Sequence, residues 1–417
     1  MQPSSTTPQT PASRWQCHAT FAAVDPSILL SVLTKRTYAW SQGRVVPADE
    51  QKPLAFDTEE EKRDGKYGGV ITQGCDVWPI KTATDVVVTG KARSRAGQPT
   101  TSMSVGVSVG GRVKRIQVLG SRYVQYAGKG SLRFSSPEPF TEVDLSWWNA
   151  YGGIDPMVLP RGLEDTPTYA GRPVPELFPG AYPRNPVGTG YLVQETPELL
   201  DGFMLPQLED PRQPLTAETF LVKDPKQWGR RPQPAGFGWW HTLWFPRIVN
   251  LGGKPYHLPS AMDRGEQLRE LVFGLVTEDQ LTKKEARTPN LRFLNEAAPD
   301  MILPFLNGDE VIRLEGMSAS SEEVFRLPTE RPTVAARLDA QPLGNPVTCL
   351  HTLAIDAEKR EFYLLWSTRF VVPASFAGEI AEGLPFHEAV PRAKVIVDGM
   401  TLESQHWPQP KDEEEPI

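Results

Sequence analysis

The sequence predicts a mainly β protein: antiparallel sheets in a sandwich-like arrangement, with long Pro/Gly-rich loops and at least one amphipathic helix. Three observations carry this prediction. Short runs of β-branched and aromatic residues alternate with polar ones and are punctuated by turn dipeptides, the pattern of strands with one buried face. Proline is abundant, 41 of 417 residues, about twice the usual share. Because proline fixes φ and lacks an N–H, it collects in turns and structured crossings rather than helix interiors. Finally, one segment alone shows strong helical periodicity.

Residues 1–13 are Ser, Thr, Pro and Gln with few apolar side chains, so they read as a disordered leader. The β-rich body is expected over 14–377, with room for a sub-boundary within 125–260. A C-terminal extension, 378–417, ends in the acidic "WPQPKDEEEPI", expected to be mobile. Within the body, "ILLSVLTKRTYAW" (28–40) is apolar enough for a buried strand, although periodicity alone leaves a helix open. "TDVVVTGKAR" (84–93) follows. In "TSMSVGVSVGGRVKRIQVLG" (101–120), Val105, Val107 and Val109 alternate with small residues. The Gly110-Gly111 pair suits a hairpin turn needing positive φ. The cations of "GGRVKRIQVLGSR" (110–122) read as the solvated side of that strand.

From 135 to 260 the chain is dense in Pro, Gly and aromatics, and so should pack as a loop-rich layer rather than a disordered linker. "MDRGEQLRELVFGLV" (262–276) then places Leu268, Leu271, Val272, Leu275 and Val276 on one helical face. "MILPFLNGDEVIRLEGM" (301–317) reads as two short strands around Asn307-Gly308. "CLHTLAID" (349–356) and "EFYLLWSTRF" (361–370) form a hairpin across 357–360, with Phe362, Leu364 and Trp366 on one side.

The formal net charge of -7 disfavours nonspecific attraction to nucleic acid or to an anionic membrane. No apolar run reaches the roughly 20 residues needed to insert through a bilayer, and no secretory leader pattern opens the chain. Cys17, Cys75 and Cys349 are too few and too scattered for a disulfide framework, so a reducing, cytoplasmic setting is expected.

Motifs that carry chemistry are scarce. The Gly-x-Ser-x-Gly elbow, His-Glu-x-x-His, the P-loop and Gly-x-Gly-x-x-Gly are all missing. The six histidines, His18, His241, His257, His351, His387 and His406, are dispersed, and the adjacent Cys17-His18 pair lacks further zinc ligands nearby. No catalytic, metal or cofactor-binding residue is assigned, and the chain is read as a non-enzyme.

Two groups of residues stand out as candidates. Trp147, Trp148, Trp239, Trp240 and Trp244 are either a partner-binding or sugar-stacking surface, or core and loop packing. The stretch "YPRNPVGTGY" (182–191) combines Tyr182, Arg184, Asn185, Pro186, Gly188 and Gly190. Its prolines pre-set φ and its glycines permit turns. Arg184 and Asn185 can hydrogen-bond nearby carbonyls. It reads as a rigid structural element before a direct partner contact, so Arg184→Ala should lower stability before affinity.

Several segments together resemble the domain-of-unknown-function 2169 family. They are 82–122, "PFTEVDLSWWNAYGGID" (139–155), "YPRNPVGTGY", "LPQLEDP" (205–211), "PAGFGWWHTLWFPR" (234–247), "FLNEAAPDM" (293–301), "LNGDEVIRLEGM" (306–317) and the late hairpin ending near Trp366. Each is mostly turn residues; their joint order is the specific feature. The tryptophan pairs depart from what is usually more varied, and 258–287 is longer than expected, an insertion that could carry partner specificity. The resemblance implies a cytoplasmic adaptor or chaperone of bacterial type VI secretion that helps load a toxic effector, often one with a PAAR domain, onto the VgrG spike. It implies no catalytic residues and no cofactor. Two other classes stay open. One is a glycan- or cell-wall-directed hydrolase, marked by convergent carboxylates, or a histidine with a carboxylate, beside the tryptophans. The other is an immunity protein that neutralises a toxin.

Overall fold

The computed structural model describes residues 15–24, 27–63, 68–126, 132–155, 168–169, 172–173, 181–192, 200–220, 230–250, 290–320, 322–382, 384 and 389–402. The leader, the helix expected over 262–276, the whole of the 258–287 insertion and the acidic tail lie outside the described residues.

The principal strands begin with β1 (Gln16–Val24), β2 (Ser27–Ser41), β3 (Arg44–Pro47), β4 (Thr84–Thr89), β5 (Ser102–Val109) and β6 (Arg112–Leu119). They continue with β7 (Leu208–Glu209), β8 (Ile302–Leu303), β9 (Val311–Glu315), β10 (Glu322–Arg326) and β11 (Val334–Leu338). The last are β12 (Gln341–Leu343), β13 (Val347–Asp356), β14 (Glu361–Val371), β15 (Ala393–Val397) and β16 (Met400–Thr401). One sheet has the order β1-β2-β14-β13-β4-β8, with β3 also on β2; a second runs β7-β6-β5-β9-β10; a third runs β12-β11-β15-β16. The fold is mainly β, as the alternation predicts.

Strand β2 is flanked by β1 and β14 and buried along most of its length. That double burial explains why it reads as a continuous apolar run rather than an alternation. The β5–β6 hairpin turns at Gly110 (φ 54°) and Gly111 (φ 86°), the left-handed conformations a two-residue hairpin turn needs. Strands β13 and β14 pair as the predicted hairpin.

Two pairings differ from expectation. Strands β8 and β9 flank the Asn307-Gly308 turn but do not pair: β8 joins β4 in the first sheet, and β9 joins β5 and β10 in the second. The turn therefore transfers the chain between sheets. In addition, β4 and β13 pair in parallel, which antiparallel patterning does not foresee because the partners are far apart in sequence.

One apolar cluster draws on all three sheets. Trp40 of β2 stacks on Phe325 of β10 at 4.5 Å, and Phe325 on Phe362 of β14 at 5.3 Å. The 378–417 stretch contributes β15 and β16 to the third sheet, and Trp15 Nε1 donates to Asp398 Oδ2 at 2.6 Å. A short helix, α1 (Ala374–Ala381), packs Phe376 against Phe21 of β1. Among the described residues no helix is long and apolar enough to cross a membrane.

The β13–β14 ladder shifts register between Leu350 and Thr352, so His351 sits at the irregularity. It is fully buried, and neither ring nitrogen has a hydrogen-bond partner. Burial first, then the Lys81 and Arg369 charges, hold its pKa well below the usual histidine value. The folded chain keeps His351 neutral, whereas the unfolded chain protonates it below about pH 6.5. Stability is therefore fully present above that value and declines as pH falls beneath it. His351→Leu should flatten this acid limb, whose slope for one proton is about 1.4 kcal/mol per pH unit. Urea melts at stepped pH read the difference; parallel wild-type and variant curves would refute it.

Candidate functional site

The region of interest begins where the 182–191 loop meets the tryptophan turn. Trp147–Asn149 forms one 3-10 turn capped by Ser146. Tyr151–Gly152 and Thr189–Gly190 pair in parallel, bringing the loop alongside that turn. Asn185 fastens the two: its Nδ2 donates to Trp147 O at 2.9 Å and to Tyr151 O at 3.2 Å. Tyr182 donates to Pro232 O at 3.1 Å and packs its ring between Tyr151 and Tyr191. Pro186 and Gly188 are buried, and Gly190 takes φ 101°. Across from them, a Cβ on Gly152 would lie 2.0 Å from Asn185 O, so only glycine admits this approach. The loop is a rigid structural clasp.

Among the described residues, the carbonyl-bonding role expected of both Arg184 and Asn185 falls to Asn185, while the Arg184 guanidinium meets the Tyr182 hydroxyl. The Arg184 Nη1 is buried and makes no hydrogen bond. Asn185→Ala, which leaves Tyr151 O without a donor while Trp147 O keeps the Ala150 N–H, should cost roughly 1–3 kcal/mol. Arg184→Ala should stay within about 0.5 kcal/mol. Urea denaturation of the two variants decides; a larger loss for Arg184→Ala would restore the sequence expectation.

All five candidate tryptophans are inside. Trp147, Trp148, Trp239, Trp240 and Trp244 are each at most 4% exposed, so a partner would meet the surface above them rather than the indoles. Trp147 is the hub. Its ring meets Trp240 edge-to-face at 5.0 Å and Trp244 at 6.1 Å, and its Nε1 donates to Trp239 O at 2.8 Å. Trp148 faces elsewhere, under the Arg63 guanidinium at 5.0 Å.

Beneath this layer runs a seam of buried charge that sequence reading missed. Lys81 Nζ contacts Asp85 Oδ2 at 2.7 Å, Glu296 Oε2 at 3.3 Å and Thr352 Oγ1 at 3.2 Å. Glu296 also pairs with Arg247 at 3.2 Å. Asp85 accepts from the Glu296 N–H at 2.8 Å and Asn295 Nδ2 at 3.1 Å. Nearby, Lys35 and Asp76 pair at 2.6 Å. Three cations and three carboxylates balance, and each is at most 4% exposed. The seam pins the residues after 290 onto β4. Its sequence signal lay in "FLNEAAPDM", which carries Asn295 and Glu296.

Above the seam, a cavity of about 260 Å³ opens between β6, the clasp and the residues around Asp300. It joins one member of each candidate group, Arg184 and Trp240. Lys114, expected on the solvated side of its strand, instead turns into this wall, donating to Gly236 O at 2.5 Å and Asp300 Oδ1 at 2.6 Å. Burial pushes its pKa below the usual lysine value despite Asp300. Burial would raise the Asp210 carboxyl, but hydrogen bonds from Arg212 hold it below its usual range. The chain departs at Asn250 and returns at Asn290, whose N–H donates to Asn250 O at 2.8 Å. The intervening segment lies outside the described residues.

A histidine with a carboxylate does sit beside the tryptophans. His241 Nε2 lies 3.0 Å from Glu60 Oε1, and the ring stacks on Trp244 at 5.6 Å. Its Nδ1, however, accepts the Leu243 N–H at 3.0 Å. Both ring nitrogens are therefore occupied, Nε2 carries the proton toward Glu60, and no lone pair is left to take one from a substrate. The pair ties residues 59–62 to the tryptophan layer. Among the described residues no group of three or more His, Cys, Asp or Glu could hold a metal ion.

A family model described as an uncharacterized protein conserved in bacteria (DUF2169) matches residues 27–367. That span covers most of the chain, including the second sheet, the first sheet apart from β1 and the end of β14, the clasp and the tryptophan layer, and the chain belongs to this family. No curated protein matches it, and no solved structure does.

Proposed function

We propose that this member of the family is a cytoplasmic adaptor or chaperone that holds a type VI secretion effector, of the PAAR-linked kind, and helps load it onto the VgrG spike. The observation that carries the reading is the family match over 27–367, joined to the adaptor role that the resemblance implies. The geometry supports it in kind. A loop layer stiffened by Asn185 and by the tryptophan cluster costs little further ordering when a partner docks, and such pre-organisation favours binding.

In this reading the partner buries apolar surface against the loop layer at a few points, while surrounding polar groups set specificity. Deleting the gene in its host should remove one toxin from the secreted proteins while spike components are still released, and re-expression should restore it. An unchanged set of secreted proteins contradicts the reading. An immunity role predicts instead that the chain protects toxin-expressing cells. Among the described residues, the His241–Glu60 pair beside Trp244 is the feature favouring a hydrolase, and its occupied ring nitrogens argue against that use.

A further inference from the structure

We propose that the cavity between β6 and the 182–191 clasp binds a small monocarboxylate, with Arg184 as the residue that grips it. Every other cation that lines the cavity is paired with a carboxylate. Lys114 is matched by Asp300 at 2.6 Å, Arg212 by Asp210 at 2.7 Å, and Arg115 by Glu315 at 2.8 Å. Arg184 has no carboxylate partner among the described residues, and its Nη1 is buried with no hydrogen bond. A guanidinium is always charged and presents its donors as a planar fork that fits a carboxylate. Within the clasp the Arg184 guanidinium meets only the Tyr182 hydroxyl, so this half-buried, cavity-lining cation is the charge an anion there would meet.

The cavity supplies what such an anion needs. Its wall beside Arg184 includes Trp240, Pro246 and Pro299, an apolar surface for a short hydrocarbon stem. At about 260 Å³ it falls just below the roughly 300 Å³ at which pockets for drug-sized molecules begin. Charge then selects among anions. With Lys114 and Arg212 already neutralised, Arg184 leaves one uncompensated positive charge, and Asp210 and Asp300 face the same space. A single carboxylate balances that field, whereas a phosphate dianion would be repelled by the two acids. The carboxylate can come from a free short-chain acid or from a peptide's C-terminus; the chemistry is the same. It holds whether or not the chain carries a secretion partner, so failure of the secretion assay leaves it intact.

Thermal melts of the full chain at matched ionic strength test this, with chloride as the reference and four probes. These are propionate, inorganic phosphate, an acetylated peptide ending in a free carboxylate, and the same peptide amidated. Near-saturating propionate or the carboxylate peptide should raise the Tm by about 2 °C, and phosphate and the amide should not. Arg184→Met, which keeps the packing of the stem, should melt within a few degrees of the wild type and should lose the shift. Arg184→Lys should retain a reduced one. A shift from the peptide alone identifies a protein C-terminus as the source, and one from propionate a free acid. No shift with any carboxylate, or an equal shift in Arg184→Met, overturns the assignment.

Discussion

Lys81→Met should destabilise the protein by about 3–5 kcal/mol, the cost of removing one partner from a buried ion pair. Lys81 is 1% exposed and is the cation shared by Asp85 and Glu296. Without it, two carboxylates are left facing each other in the interior, with Arg247 neutralising only Glu296. Methionine keeps the volume, so the loss measured is electrostatic rather than a cavity. Burial alone would lower the lysine's pKa, but Asp85 and Glu296 raise it above the ordinary value. The stabilisation is therefore present below the unfolded pKa of about 10.4 and is lost as pH rises through the higher folded value. Urea unfolding near neutral pH reads the loss. A change under 1 kcal/mol would mean that the seam is better solvated than its geometry shows.

Trp147→Ala should cost a comparable 3–5 kcal/mol, about the range for truncating a buried large aromatic. Trp147 is 1% exposed and binds three segments together. It meets Trp240 and Trp244 through its ring and Trp239 O through its Nε1, while Asn185 holds its carbonyl. The chain has fitted itself around this ring: a Cβ on Gly236 would come within 2.8 Å of Trp147 Cζ3. Alanine would empty the centre of the layer and release the clasp. Two results separate packing from partner contact. Loss of stability with partner binding retained at low temperature marks Trp147 as support, and normal melting with lost binding would mark it as a contact.

How much of this was legible depends on the kind of interaction. The β5–β6 and β13–β14 hairpins were readable because period-two patterning and turn residues are local. The β8–β9 stretch was half readable: its turn is local, but strand partners are chosen by distant sequence, and the two strands went to different sheets. The same reason hid the parallel β4–β13 pairing. The seam was invisible because Lys35, Lys81, Asp85 and Glu296 look like ordinary surface charges until the fold encloses them. The five tryptophans showed the limit of composition. Indoles suit a hot spot and a core equally well, and only the fold shows that all five are buried. Arg184 and Trp240 came from separate quoted stretches, and only the fold places them in one cavity.

The most direct measurement of the adaptor reading is affinity purification of the tagged protein from its native host, with mass spectrometry of the co-eluting proteins. A control host lacking the neighbouring secretion genes sets the background. The account predicts a toxin linked to a PAAR domain or to VgrG, in near-stoichiometric amount and missing from the control. A chain that elutes alone from the native host, folded and without such a companion, would contradict it.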